Sequence, residues 1–320
     1  MEYSKIRGFN YQPGYGSSGF ELWQKFDAAV IDRELGLGKK YFPKMNAIRL
    51  WLSWDSFNRN PEKFSGSFGL ALKAADKYGL VVMPVLFNRW HDSVLDYGGI
   101  YIDHFLPRAS WVQRKDMFLP YLEMIVGKHS EDPRVFAWDL CNEPFAYSCP
   151  PEEIPEIVRA EYAWLEEMYK ACKHLGAKAP VTVGIHPGHG LKGIRQIEPI
   201  SDILSIHPYW TENEQTHQEK AAFEKSLDEY AGFAKETNKP LLATETCWGA
   251  LDDKKRVEII RYTLGELKKR NIGWLVYLLC HSLIADAHRP EFAPYGAPGN
   301  LSFIEKDGSL RPGHEIFNEF

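Results

Sequence analysis

The sequence predicts a single-domain α/β protein, a (β/α)8 TIM barrel spanning residues 1–320, and three observations predict it. Short apolar runs rich in Val, Ile, Leu and Trp recur along the whole chain, each too brief for a helix. Longer amphipathic stretches separate them. No Gly/Ser-rich linker or low-complexity segment breaks the rhythm, and barrels of this kind routinely use more than ~250 residues as one unit. The strand candidates, in order, are Ile6–Asn10, Ala47–Ser53, Leu80–Phe87, Val135–Cys141, Val181–Ile185, Ile203–His207, Leu241–Glu245 and Gly273–Leu279.

The intervening stretches read as helices. Phe20–Leu35 is the first long one, and Ser110-Trp111-Val112-Gln113 has the form of a capping box opening another. After the acidic turn Glu152-Glu153, which suits a helix N-terminus, Leu165, Met168, Tyr169, Cys172 and Leu175 recur at helical spacing. Glu214–Glu236, Lys254–Lys269 and a last turn after Pro312 complete the series. Eight right-handed βα units close most economically into a barrel. The rival, an open doubly wound sheet, calls for a glycine-rich phosphate loop after strand one. Phe9-Asn10-Tyr11-Gln12-Pro13-Gly14-Tyr15-Gly16 fits neither nucleotide fingerprint.

Composition excludes several function classes. With 44% hydrophobic and 25% charged residues the chain has globular proportions and enough apolar material for one large core. A net charge of −5 is wrong for a polyanion-binding surface, so nucleic acid is not an expected partner. No apolar run approaches the ~18 residues of a membrane span, and Met1–Arg7 opens no signal-peptide core, which predicts a cytoplasmic protein without a membrane partner. The five cysteines form no CxxC pair and read as reduced thiols. The histidines of His186-Pro187-Gly188-His189, with His207, His281 and His288, give neither an HxH pair after strand one nor an HExxH helix. No metal or cofactor is expected, and a metal-dependent hydrolase remains the alternative that those histidines leave open.

In a barrel the working groups lie at the C-terminal ends of the strands. Arg49 sits inside Ile48-Arg49-Leu50-Trp51, strand three runs out at Asn88-Arg89-Trp90-His91-Asp92, and strand four at Asp139-Leu140-Cys141-Asn142-Glu143-Pro144. Strand six ends at His207-Pro208-Tyr209-Trp210, strand seven at Thr244-Glu245-Thr246-Cys247-Trp248. In regular strands every second residue shares a face, which groups Val135, Ala137, Asp139, Cys141 and Glu143, then Ile203, Ser205, His207 and Tyr209, then Leu241, Ala243 and Glu245. The inward polar set is then two carboxylates, an imidazole, a phenol and a guanidinium. An arginine within an apolar strand needs a carboxylate partner, which Asp139 or Glu245 would supply. Two carboxylates flanking an acetal, one protonated and one ionised, are what glycoside hydrolysis requires.

The run Trp138-Asp139-Leu140-Cys141-Asn142-Glu143-Pro144-Phe145, with His207-x-Tyr209 and the late Glu245, resembles glycoside hydrolase family 5, within a clan of (β/α)8 retaining glycosidases that includes cellulases, mannanases and exo-acting β-glycosidases. The resemblance implies that Glu143 is the acid/base and Glu245 the nucleophile. It further implies that Asn142 holds the sugar 2-hydroxyl, that Arg49 supports Glu245, that His207 and Tyr209 orient the same site, and that His91 contacts substrate. The family pattern places a tryptophan near the end of strand eight, and Leu275-Val276-Tyr277-Leu278-Leu279 has none. Trp54, Trp90, Trp210 and Trp248 fall just beyond strand ends, where rings can stack on sugar faces; Trp210 and Trp248 are the substrate-binding candidates. The expected substrate is a short β-linked gluco- or manno-oligosaccharide, and the long stretch from Asn88 to Ser110 favours exo action by walling off one end of the cleft. An endo-β-1,4-glucanase or endo-β-mannanase is the alternative within the class, and an inactive carbohydrate-binding barrel the alternative outside it.

Overall fold

The computed structural model describes residues 1–89, 99–107, 115–147, 149–210, 219–283 and 299–320. The chain runs β1 (Arg7–Tyr11), α1 (Gly19–Gln24), α2 (Ala28–Tyr41), β2 (Ala47–Trp51), α3 (Trp54–Arg59), α4 (Pro61–Lys77), β3 (Val81–Asn88), α5 (Leu119–Leu122) and β4 (Trp138–Asn142). It continues α6 (Pro155–His174), β5 (Val181–Ile185), α7 (Gly190–Ile197), β6 (Leu204–Ile206), α8 (Lys220–Thr237), β7 (Leu241–Ala243), α9 (Asp253–Lys269) and β8 (Gly273–Val276). The strands form a closed parallel barrel in chain order, and the Arg7↔Trp274 register between β1 and β8 shuts it. This is the (β/α)8 TIM barrel that the strand rhythm predicts.

Alternation sorts each strand between two cores. Ala47, Met83, Ala137, Ile203, Leu242 and Leu275 fill the lower barrel interior, while Ile48, Leu50, Val82, Leu204, Ala243 and Val276 meet helix residues such as Leu35, Phe68, Leu72, Leu165, Met168 and Ile260. Above the lower interior layer the lining turns polar: Asn10, Arg49, Asp139 and Ser205 are wholly buried. Trp51, Val85, Tyr277, Leu278 and Leu301 form a third, aromatic-rich cluster. The barrel interior is thus apolar in one layer and carries buried charge in the next.

Local chemistry places the helix ends. Asp27 accepts hydrogen bonds from the Ala29 and Val30 amides, so the stretch expected as one helix over 20–35 is two, with α2 restarting at this cap. Asn60 caps α4 ahead of Pro61, a residue suited to the first helical turn. Asp252 caps α9. α8 begins at Lys220, and the earlier part of the helix expected from Glu214 lies outside the described residues, as does the capping box at Ser110. Among the described residues no helix is long and apolar enough to cross a membrane.

Candidate active site

Both glutamates singled out in the sequence leave their strands where regular geometry fails. The β4–β5 register shifts between Asp139 and Asn142, so Asp139 and Asn142, three residues apart, both reach Arg49, while Cys141 between them packs in the barrel–helix layer. Glu143 follows in the left-handed region at φ 47°. On β7 the face expected for Leu241, Ala243 and Glu245 is corrected: Leu242 belongs to the interior layer and Ala243 to the outer one. The strand ends at Ala243, Thr244 pairs with Ser205 inside, and the bend that follows brings Glu245 to the same side. The carboxylates therefore meet because the strand ends are irregular, whereas β6 keeps strict alternation through Ile203, Ser205 and His207.

Arg49 is the hub. Its Nε and Nη2 donate to Asp139 Oδ2 at 2.9 and 2.7 Å, Nη2 to Asn142 Oδ1 at 2.8 Å, Nη1 to Asn10 Oδ1 at 2.8 Å, and Nη1 also to Glu245 Oε1. A guanidinium has five N–H donors and all five are used. Burial opposes its charge, but Asp139 and Glu245 outweigh burial and hold the guanidinium above its ordinary pKa. The two partners that the sequence left as alternatives are thus both engaged. Tyr209 donates to the other oxygen of Glu245 at 2.7 Å, so this carboxylate is an acceptor on both sides. Asn142 Nδ2 donates to Asn88 Oδ1 at 3.1 Å, which leaves its second amide hydrogen for a ligand.

Glu143 is held differently. Its Oε1 lies 2.6 Å from His207 Nδ1, which is also 3.8 Å from Glu245 Oε2. Burial pushes the Glu143 carboxyl up, while the hydrogen bond and charge of His207, helped by His186 and Arg49, pull it below the usual carboxylate range. Gly184 makes the arrangement possible: a Cβ there would lie 2.8 Å from His207 Nε2 and 3.2 Å from Asp139 Oδ2. One carboxylate oxygen from each of Glu143 and Glu245 and a ring nitrogen of His207 lie within 4.8 Å of one another. Arg49 and Tyr209 occupy the Glu245 oxygens and His207 Nδ1 meets Glu143 Oε1, which suits two hydrogen-bonded carboxylates better than a divalent cation next to a buried guanidinium.

The aromatic candidates divide. Trp248 is half-buried, with its ring 4.8 Å from that of Tyr209 and 6.4 Å from that of Tyr277. Tyr277 directly follows β8, where a tryptophan was expected, and shares the aromatic cluster with Trp51. Trp210 does not join them: it is 2% exposed and packs against Tyr262 of α9 at 4.5 Å, which corrects its expected role as a sugar platform. Trp54 is likewise buried, against Phe118 at 4.8 Å. His91 and Trp90 lie outside the described residues. Sequence reasoning missed Asn10, Asn88, Gly184 and Arg256. Arg256 of α9 is wholly buried and donates to the carbonyls of Cys247, Trp248, Tyr277 and Leu301, tying the segments after β7 and β8 together. Its only sequence signal is an arginine among the apolar positions of an amphipathic helix.

Known proteins resemble this chain in sequence and in fold. The model of Cellulase (glycosyl hydrolase family 5) matches residues 39–282. A probable mannan endo-1,4-β-mannosidase A of Aspergillus oryzae (strain ATCC 42149 / RIB 40) is 27% identical over 204 residues, 56% of this chain and 50% of that protein. An exo-β-1,4-mannosidase from Opitutaceae bacterium strain TAV5 is similar in structure, with a TM-score of 0.73 at 19% identity over 98% of this chain and 58% of that one. The hyperthermostable endo-1,4-β-D-mannanase from Thermotoga petrophila RKU-1 is similar at a TM-score of 0.66 and 17% identity, over 98% of each chain. These structural likenesses speak to the fold. The chain spans half or less of the length of the curated relatives it matches. Because the family model runs from α2 through the residues just past β8, taking in β2, β4, β6 and β7 with the paired carboxylates they present, the chain belongs to glycosyl hydrolase family 5.

Proposed function

We propose that the chain is a retaining β-glycoside hydrolase that releases single sugars, of manno or gluco type, from short β-linked oligosaccharides. The observation that carries this reading is the approach of Glu143 and Glu245 oxygens to within 4.8 Å. Retaining enzymes keep their two carboxyl groups ~5–5.5 Å apart, and inverting ones leave a wider gap for water. Glu245, aimed by Arg49 and Tyr209, attacks the anomeric carbon as the glycosidic C–O bond breaks, and Glu143 gives its proton to the departing oxygen. Water then attacks the glycosyl ester, with Glu143 taking the proton back. The free Asn142 hydrogen suits the sugar 2-hydroxyl, and Trp248 with Tyr277 suits a sugar face in place of the missing tryptophan.

The relatives favour a β-mannoside. For exo action the support is the length of the segment from Asn88 to Ser110 in the sequence, a connection long enough to wall off one end of a cleft. The second reading, an endo-β-mannanase, is favoured by the likeness to the Thermotoga enzyme over 98% of both chains. A panel of 4-nitrophenyl β-mannoside, β-glucoside and β-galactoside tests the class. Hydrolysis of one of them, lost in Glu245→Ala and Glu143→Ala, with the β-anomer as first product by proton NMR, is the expected result; the α-anomer first would refute retention. A steep viscosity drop on soluble mannan before free mannose appears would favour the endo reading.

A further inference from the structure

The acid/base is reached through an awkward piece of backbone. Glu143 at φ 47° and Phe145 at φ 65° are both non-glycine residues in the left-handed region, on either side of Pro144. Such conformations persist where the surroundings over-determine them. Here the surroundings are a buried ion pair that plays no part in the chemistry above. Glu161 of α6 is wholly buried, and its Oε1 accepts from the Phe145 amide at 3.0 Å and lies 3.1 Å from Arg89 Nε. Its Oε2 accepts from the Tyr147 phenol. Arg89, just past β3, donates from its own amide to Asn142 O at 3.0 Å and from Nη2 to Ala146 O at 3.2 Å. The residue before Glu143 and the three that follow Pro144 are therefore all tied to one Arg–Glu pair.

We propose that Glu161, with Arg89 and Tyr147, is a positioning clamp that holds Glu143 where it can deliver a proton to the leaving group; this rests on the reading of Glu143 as the acid/base. The clamp's contacts run to Asn142, Phe145, Ala146 and Tyr147, around the acid/base, whereas Glu245 is held by Arg49 and Tyr209, so loosening the clamp displaces the proton donor and spares the nucleophile. A general acid acts only within hydrogen-bond reach of the atom it protonates, and leaving groups that are already stable anions need little protonation. The defect is thus graded by leaving group, which a merely structural role does not produce.

The test measures kcat/KM, which reports the first bond cleavage, for wild type, Glu161→Gln, Tyr147→Phe and Glu143→Ala on 2,4-dinitrophenyl, 4-nitrophenyl and phenyl glycosides of the sugar the enzyme accepts. Glu161→Gln keeps an acceptor for the Phe145 amide but not the charge facing Arg89, and is expected to lose about 10²-fold on the phenyl glycoside and no more than about 3-fold on the dinitrophenyl one. Tyr147→Phe leaves both charges in place and is expected to lose about 10-fold with the same grading; it decides the matter if Glu161→Gln does not fold. A uniform loss across the three leaving groups, or none, overturns the clamp. Glu143→Ala separates the two readings: graded loss there with ungraded clamp variants sinks the clamp alone, whereas an ungraded Glu143→Ala sinks the acid/base assignment itself.

Discussion

Replacing Arg49 by lysine keeps the charge and removes the fork, which makes it the sharpest perturbation of the site. The guanidinium satisfies five contacts, to Asp139 twice and to Asn142, Asn10 and Glu245. An ammonium has three donors radiating from one point, so at least two of those contacts are lost in a region where Arg49, Asn10 and Asp139 have no solvent exposure. The five contacts fall on four acceptors, so three donors leave at least one unsatisfied, and at about 1–3 kcal/mol for that acceptor Arg49→Lys should destabilise the fold by at least roughly 1–3 kcal/mol. Reach decides the order of loss: Asp139 is engaged through Nε, nearer the backbone, while Asn10 and Glu245 are engaged through the distal Nη1. Glu245 should then lose its fixed orientation, and misplacing a reacting group by ~1 Å costs about 10²-fold. Urea unfolding followed by tryptophan fluorescence gives the stability change, and aryl glycoside hydrolysis gives kcat/KM. A variant within 1 kcal/mol of wild type that also keeps activity within about 5-fold would show that charge alone supports Glu245 and would refute the fork argument.

Three further outcomes follow from other contacts. Gly184→Ala should lower kcat/KM at least 10-fold, because the added methyl lies 2.8 Å from His207 Nε2 and pushes the ring off Glu143; unchanged activity with a normal pH profile would count against that contact. Burial pushes the Glu34 carboxyl up from 4.5 to about 7, against the Tyr11 phenol and Gly14 amide that lower it, so the folded state binds this proton more tightly than the unfolded chain. Stability should therefore fall as pH rises from about 5 to 8, by up to about 3 kcal/mol, and Glu34→Gln should abolish that slope; parallel unfolding curves for the two proteins across this range would contradict it. Trp248→Ala should raise KM several-fold with kcat little changed, as expected of a half-buried ring that stacks on a sugar face, and an equal fall in kcat would assign it to the chemistry instead.

Much of this architecture was legible because it rests on local pattern. Apolar runs such as Val181–Ile185 and Ile203–His207 carry their period in the residues themselves, whereas Asn60 announces a helix start through its side-chain oxygen and opens α4, a helix absent from the sequence reading. Asp27 announces one too, yet α1 and α2 read as a single helix because apolar spacing continues across the cap. Trp210 shows the same limit from the other side. Its place just past β6 suits a cleft or a helix packing equally, and only the arrival of Tyr262 from α9 decides for the second.

The sequence by itself determined a closed barrel, an arginine that must find carboxylates, and two glutamates at the ends of β4 and β7. Only the tertiary structure decided how they meet. Strict alternation would have turned Glu245 away from the interior that Leu242 faces, and it would have put Cys141 where Asn142 stands. The chain departs from regular strand geometry there because five buried donors of Arg49 must be satisfied at once, by Asn10, Asp139, Asn142 and Glu245 from two strands and the end of a third. That requirement is non-local. It links residues as far apart as 10 and 245, and nothing in the period of any one strand can express it.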